Sequence, residues 1–262
     1  MKIFIFCDIE GISGIYTKEQ VLSTGRYYAE GRELMTAEIN ACAEGCKAAG
    51  ADKVIVRDGH GSGGNVVLEK LSPAVDEIIC GTTACGRFPG IEECDGLILL
   101  GYHAMAGTDR AVLEHSMSSV QIQNYWINGE KAGEIGIDAG IAGELGVPVI
   151  MVSGDDKACA EAKNLLPWVE TAQVKRGISS FGAILLPPAK GRELIRETAK
   201  RAVERIAEKY PLTYSSPVKF RVELMERNML PNPATREGMT VIDGRTYEIK
   251  ADTLAEAFDR SW

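Results

Sequence analysis

The chain has 262 residues, 45% of them hydrophobic and 25% charged, the balance of an ordinary globular protein with one large domain or a main domain and a smaller partner. Its formal charge of -8 repels phosphate backbones, which argues against a nucleic-acid partner. No apolar run approaches the roughly 18 residues of a membrane span, and the start, MKIFIFCDIEG, is too short for a signal-peptide core, so no membrane partner and a cytoplasmic address are expected.

Lys2 to Cys7 is a short apolar run of the kind shown by a strand buried on both faces. A helix is expected over Arg32 to Ala49, where Met35, Ile39, Cys42 and Cys46 share one face and Gly50 stands at the C-terminal cap. Lys53 to Arg57 reads as a second strand, followed by a glycine-rich turn and a short helix near Val66 to Leu71. Gly96 to Leu100 is another strand. Val120 to Ile127 and the stretch from Lys131 flank Asn128-Gly129, a strong two-residue hairpin signal. A helix over Glu134 to Leu145 and a buried strand over Pro148 to Ser153 follow.

This strand–helix alternation predicts a three-layer α/β/α sandwich around a mainly parallel, mixed sheet. The texture changes near residue 156. Ala189 to Tyr210 is an amphipathic helix with Ile195, Ala199, Ala202 and Ile206 on its apolar stripe. Lys219 to Met225, Thr240 to Ile242 and Thr246 to Ile249 read as strands. The expected organisation is a catalytic α/β domain over 1–156 and a smaller α+β part over 157–262. The seven cysteines (7, 42, 46, 80, 85, 94 and 159) are too few and too scattered for a disulfide scaffold and read as reduced thiols.

The chemistry gathers at the ends of the early strands. The first ends in Asp8-Ile9-Glu10-Gly11, the second in Asp58-Gly59-His60, the third in Gly101-Tyr102-His103. Open α/β sheets place ligand sites at this edge. Imidazole nitrogen with carboxylate oxygen suits Zn²⁺, and less closely Mn²⁺ or Co²⁺. An aspartate at a strand end is ordinarily a turn residue, and one histidine after a strand is ordinarily structural. Three such ends together with all three histidines, His60, His103 and His115, in the first half of the chain are not required by any structural rule.

Other motifs compete less well. Gly59 to Gly64 satisfies G-x-G-x-x-G, but the strand about 20 residues later, Glu77 to Cys80, ends in glycine rather than an acidic ribose contact. Neither a Gly-Lys-Ser/Thr phosphate loop nor a G-x-S-x-G elbow is present. Cys42 and Cys46 lie on the apolar stripe with Met35 and Ile39 and read as core.

Asp8-Ile-Glu10-Gly11-Ile12-Ser13-Gly14 resembles the opening of the M55 metallopeptidases, the DppA-like D-aminopeptidases. Asp58-Gly59-His60, Gly101-Tyr102-His103-Ala104, His115-Ser116-Met117, Ile127-Asn128-Gly129, Gly133-Glu134-Ile135-Gly136 and Val149 to Asp156 follow in the family's order. The resemblance implies two Zn²⁺ ions per subunit held by Asp8 as the bridging ligand with Glu10, His60, His103 and Glu134, and a catalytic role for His115. It also implies release of N-terminal residues, preferably D-amino acids, from short peptides, and a homo-oligomer of stacked pentameric rings, a decamer. The glycine-rich turn at Arg57 to Gly61 and a stretch between His103 and His115 that reads one residue longer depart from the family pattern beside the site. Asp138, one helical turn after Glu134, is its physical rival as a ligand.

In such a centre a shared water would attack the scissile carbonyl, and His115 would shuttle a proton. Asp58, Asp138, Asp155 and Asp156 stand as candidates for the substrate amine, with nothing in the sequence to choose among them. Two rival functions use the same features: a dinuclear phosphoesterase, with Arg57 or Arg110 clamping phosphate, and a peptide-binding protein without turnover.

Overall fold

The computed structural model describes residues 1–84 and 86–262. The chain begins with β1 (Lys2–Cys7), a short α1 (Lys18–Val21) and the long α2 (Tyr28–Ala48). It continues through β2 (Lys53–Asp58), β3 (Glu77–Ile79), β4 (Gly96–Tyr102), β5 (Ile122–Ile127), β6 (Glu130–Ala132) and α3 (Glu134–Glu144). Then come β7 (Val149–Asp155), α4 (Asp156–Leu165), β8 (Glu170–Ser179), β9 (Gly182–Leu185) and α5 (Pro188–Glu204). β10 (Val218–Leu224), β11 (Met239–Val241), β12 (Thr246–Ala251) and α6 (Leu254–Asp259) complete it.

The larger sheet has the order β3-β2-β1-β4-β7-β8-β9, parallel except for the β8–β9 pair. β1 lies at its heart and is buried on both faces. Ile3, Ile5 and Cys7 join Met35, Ile39, Cys42, Cys46, Ile195 and Ala199 of α2 and α5 in one core. Phe4 and Phe6 point the other way, to a core shared with Ile135 and Ile137 of α3, Phe220 of β10 and Phe258 of α6. Each such fully buried side chain contributes about 1.5–3 kcal/mol, so a strand apolar at every position is held from both sides. The three-layer α/β/α arrangement around a mainly parallel, mixed sheet is as the sequence predicts.

A second, antiparallel sheet of order β11-β12-β10-β5-β6 packs on the α3 side. The expected division at residue 156 does not follow the sheets. β8 and β9, from the later part, extend the parallel sheet, whereas β5 and β6, from the earlier part, pair with the later strands. Hydrophobic periodicity identifies a strand but not its neighbour.

Several elements differ from expectation at their ends. The helix expected from Arg32 starts at Tyr28, and Gly50 takes the left-handed conformation (φ +89°) just past its C-terminal cap. The helix expected over Ala189 to Tyr210 stops at Glu204 and gives way to a 3₁₀ turn, Ile206–Glu208. The short helix near Val66 is only a 3₁₀ turn, Leu68–Lys70, and no helix opens directly after Gly64, so the G-x-G-x-x-G spacing has no dinucleotide-binding context. Cys7, Cys42, Cys46, Cys80, Cys94 and Cys159 are free thiols, as expected, and Cys85 lies outside the described residues. Among the described residues no helix is long and apolar enough to cross a membrane.

Candidate metal centre

The neighbouring order β2-β1-β4 sets three strand ends side by side, with Cys7 level with both Asp58 and Leu100. Asp8 and Glu10 therefore leave β1 between His60, after β2, and His103, after β4. Asp8 stays tied to the sheet through its N–H, which donates to the Leu100 carbonyl at 2.8 Å. β4 bulges against β7 near its end, where Gly101 sits at φ +72° and its N–H donates to Ser153 Oγ at 2.8 Å. A Cβ on Gly101 would lie 2.4 Å from the Asp8 carbonyl, so only glycine lets the segments carrying Asp8 and His103 approach this closely.

All six residues singled out in the sequence converge. Asp8 lies between two imidazoles: its Oδ1 is 3.1 Å from His60 Nδ1, and its Oδ2 is 3.5 Å from His103 Nε2. Glu10 Oε2 is 3.2 Å from His60 Nδ1, and Glu134 Oε1 is 3.3 Å from His103 Nε2 and 3.7 Å from His115 Nε2. The His103 and His115 rings stack at 3.9 Å with 15° between their planes. Ligand-type atoms of Asp8, Glu10 and His103 lie within 4.8 Å of one another, as do those of His103, His115 and Glu134. His115 is thus also a potential metal donor.

The three rings share one device. His60 Nε2 faces the Val21 carbonyl at 3.1 Å, His103 Nδ1 the Ala104 carbonyl at 3.0 Å, and His115 Nδ1 the Leu113 carbonyl at 2.9 Å. A carbonyl only accepts, so in each neutral ring that nitrogen carries the hydrogen and the other presents its lone pair to the carboxylates. This is the outer support that a metal-ligating histidine needs.

The site's field is strongly negative. Burial works against protonating His60 and His103, yet the charges of Glu10 and Asp8 raise His60 to about 12, and those of Glu134 and Asp8 raise His103 to about 10. Burial likewise opposes ionisation of Glu10 and Glu134, but His60 holds Glu10 well below the usual range and His103 holds Glu134 down to about 2. Three buried carboxylates therefore call for positive charge among them. His103 Nε2 and Glu10 Oε2 are buried with no hydrogen-bond partner among the described residues. Orphaned lone pairs at the meeting point of imidazoles and carboxylates fit divalent zinc.

Asp138, the rival of Glu134, is committed elsewhere. Fully buried, it pairs with Arg87 through both oxygens and accepts the Tyr102 hydroxyl at 2.5 Å. The other acids considered for the substrate amine also hold structure. Asp58 accepts Asn65 N–H at 2.6 Å, and Asp155 caps α4 while accepting Val112 N–H at 2.8 Å. Asp156 accepts Gly177 N–H at 2.9 Å and pairs with Lys157.

Sequence reasoning missed three supporting residues. Arg87 lies in a Gly/Pro-rich stretch with no period to mark it. Glu38 is buried on the Met35/Ile39/Cys42 face of α2, and a charge on an apolar helix face was the available signal. Lys175 is a buried lysine in β8, an element the sequence did not reveal; burial pushes it down to about 8 despite the charges of Asp155, Glu38, Glu10 and Asp8.

A family model for peptidase M55, D-aminopeptidase, matches residues 1–261. The D-aminopeptidase of Bacillus subtilis (strain 168) is 34% identical over 265 aligned positions, covering 98% of this chain and 94% of that protein. The solved structure of the Zn-dependent D-aminopeptidase DppA from Bacillus subtilis, a self-compartmentalizing protease, superposes with a TM-score of 0.91 at 34% identity. That match covers 100% of this chain and 95% of the other.

Proposed function

This chain belongs to the M55 peptidase family, and on that premise we propose that it is a zinc-dependent aminopeptidase that releases N-terminal D-amino acids from short peptides. The observation that carries the proposal is the convergence of Asp8, Glu10, His60, His103, His115 and Glu134 from five separate stretches around buried, unpartnered ligand atoms. In this reading Asp8, Glu10, His60, His103 and Glu134 would hold two zinc ions, with Asp8, one oxygen towards each of the His60 and His103 imidazoles, shared between them. Bound there, the two ions supply Lewis-acid chemistry, lowering the pKa of water and polarising the scissile carbonyl.

The chain's own residues do the rest. With Nδ1–H committed to the Leu113 carbonyl, His115 has its basic lone pair on Nε2, facing Glu134 and the site. That nitrogen can accept a proton from the attacking water and return it to the leaving amine, a role worth roughly 10²–10⁴-fold. His103, stacked beneath it, keeps the ring in plane. The His60 and His115 side chains retain 19% and 16% exposure, so the centre opens to substrate past these two rings. By relation to the self-compartmentalizing Bacillus protein, the chain would work as a closed homo-oligomer.

Neither arginine weighed as a phosphate clamp is free of other partners. Arg110 is exposed and pairs with Asp109, and Arg57 donates to the Gly81 carbonyl. The test incubates zinc-loaded protein with D-Ala-D-Ala, L-Ala-L-Ala and p-nitrophenyl phosphate while zinc is counted. Amine release from the D-peptide with two zinc ions per chain is expected. Phosphate release without peptide cleavage, or peptide binding without turnover, would overturn the proposal. His115→Ala is expected to keep its zinc and lose about 10²–10⁴-fold in kcat; lost zinc would make His115 a ligand instead.

A further inference from the structure

The segment that leaves β1 carries Glu10 and then doubles back through Ile12 and Ile15, whose side chains are fully buried. Three of its carbonyls, those of Glu10, Ile12 and Ile15, turn towards a single point. Lys175 Nζ occupies that point, donating to them at 2.5, 3.0 and 2.7 Å. Lys175 is 2% exposed, and lysine is almost never buried so deeply without partners. Here all three ammonium hydrogens are satisfied, and every acceptor belongs to the one segment that presents Glu10. From the helix side Glu38 Oε1 accepts Ser13 N–H at 2.8 Å, gripping the same segment.

We infer that Lys175 is a positioning residue for the metal centre: its ammonium fills a cation-sized nest of main-chain carbonyls and thereby fixes Glu10 where it can bind zinc. The inference rests on the reading of Glu10 as a ligand. Its physical basis is that three converging carbonyl dipoles repel one another, and burial denies them water. Without a cation at their focus the turn would relax and carry the Glu10 side chain with it. A residue that served only to fill space would be replaceable by an apolar chain of equal volume. Lys175 differs because its charge and its three donors organise the segment.

The test compares wild-type protein with Lys175→Met, which keeps most of the volume and loses the charge. Zinc stoichiometry and affinity are read by competition with a chromogenic chelator, alongside kcat and KM. One of the two zinc sites is expected to weaken about 10–100-fold, the usual effect of losing an outer support, with kcat falling more than KM rises. Lys175→Met protein that binds two zinc ions as tightly as wild type overturns the inference and leaves the metal reading intact. Wild-type protein that takes up no zinc overturns both. Should Lys175→Met fail to fold, Lys175→Ala prepared with propylammonium, the missing fragment, or with propanol decides the matter. Zinc binding restored by the amine alone supports the nest, whereas equal recovery with both, or with neither, overturns it.

Discussion

Asp138 and Glu134 stand one helical turn apart, and either carboxylate satisfies the spacing of a ligand. The structure separates them through Arg87, whose guanidinium takes both oxygens of Asp138 and stays 3.7 Å from Glu134. A sequence cannot announce such a partner when it arrives from a stretch without periodicity. Asp8, Glu10, His60 and His103 were legible because each follows an unmistakable buried strand. Arg87→Met leaves the buried Asp138 charge unpaired and is expected to cost about 3–5 kcal/mol in denaturant melts; an unchanged midpoint would show that the pair contributes nothing. Glu38 offers a second check. Burial raises its carboxyl from 4.5 to about 7, although the Ser13 N–H and the charges of Lys175 and Arg192 oppose this. The folded state therefore holds this proton more tightly than the unfolded one. The group's contribution is full below its ordinary value and is lost as pH rises through 7. Glu38→Gln removes that loss, so its Tm relative to the parent should climb between about pH 5 and about pH 8. A constant difference across that range contradicts the assignment.

Elements with strong local chemistry were read correctly, and weakly patterned ones were not. Asn128-Gly129 marks the β5–β6 hairpin because both residues need positive φ, observed at +52° and +95°. α4 escaped notice because its buried face is only Ala158, Cys159 and Ala162, too small to make a hydrophobic stripe. β8 escaped because the sequence ETAQVKRGIS sets charges among its buried positions. α3 shows how closely an element's start controls the centre. Gly133 precedes Glu134, and a Cβ there would lie 2.6 Å from Met105 Cβ and 2.7 Å from Glu161 Oε1. Gly133→Ala should push the first turn of α3 outwards, costing about 1–3 kcal/mol as overpacking does and lowering zinc content. Full zinc occupancy in this variant, measured by metal analysis, would refute the idea that helix placement sets the ligand.

At the scale of the whole molecule the candidate centre joins the larger sheet to the helix packed on it, since the residues that would hold zinc come from the ends of β1, β2 and β4 and from α3. Each zinc ion bound only by the folded form, at 100 times its dissociation constant, adds about 2.7 kcal/mol, equivalent to roughly 5–10 °C in Tm for a chain of this size. Chelation should lower Tm by that amount per ion and zinc should restore it; a melt indifferent to both argues against metal at the site. Domain organisation was the least legible level, because strand pairing joins residues far apart: β10 inserts between β5 and β12, and β8 docks on β7. This interleaving has a consequence for biosynthesis. A ribosome hands over all six site residues, 8 through 134, before it has made Lys175 or β10. The nascent chain thus carries the candidate imidazoles and carboxylates before Lys175 and β10, which lie later in the sequence, have been made.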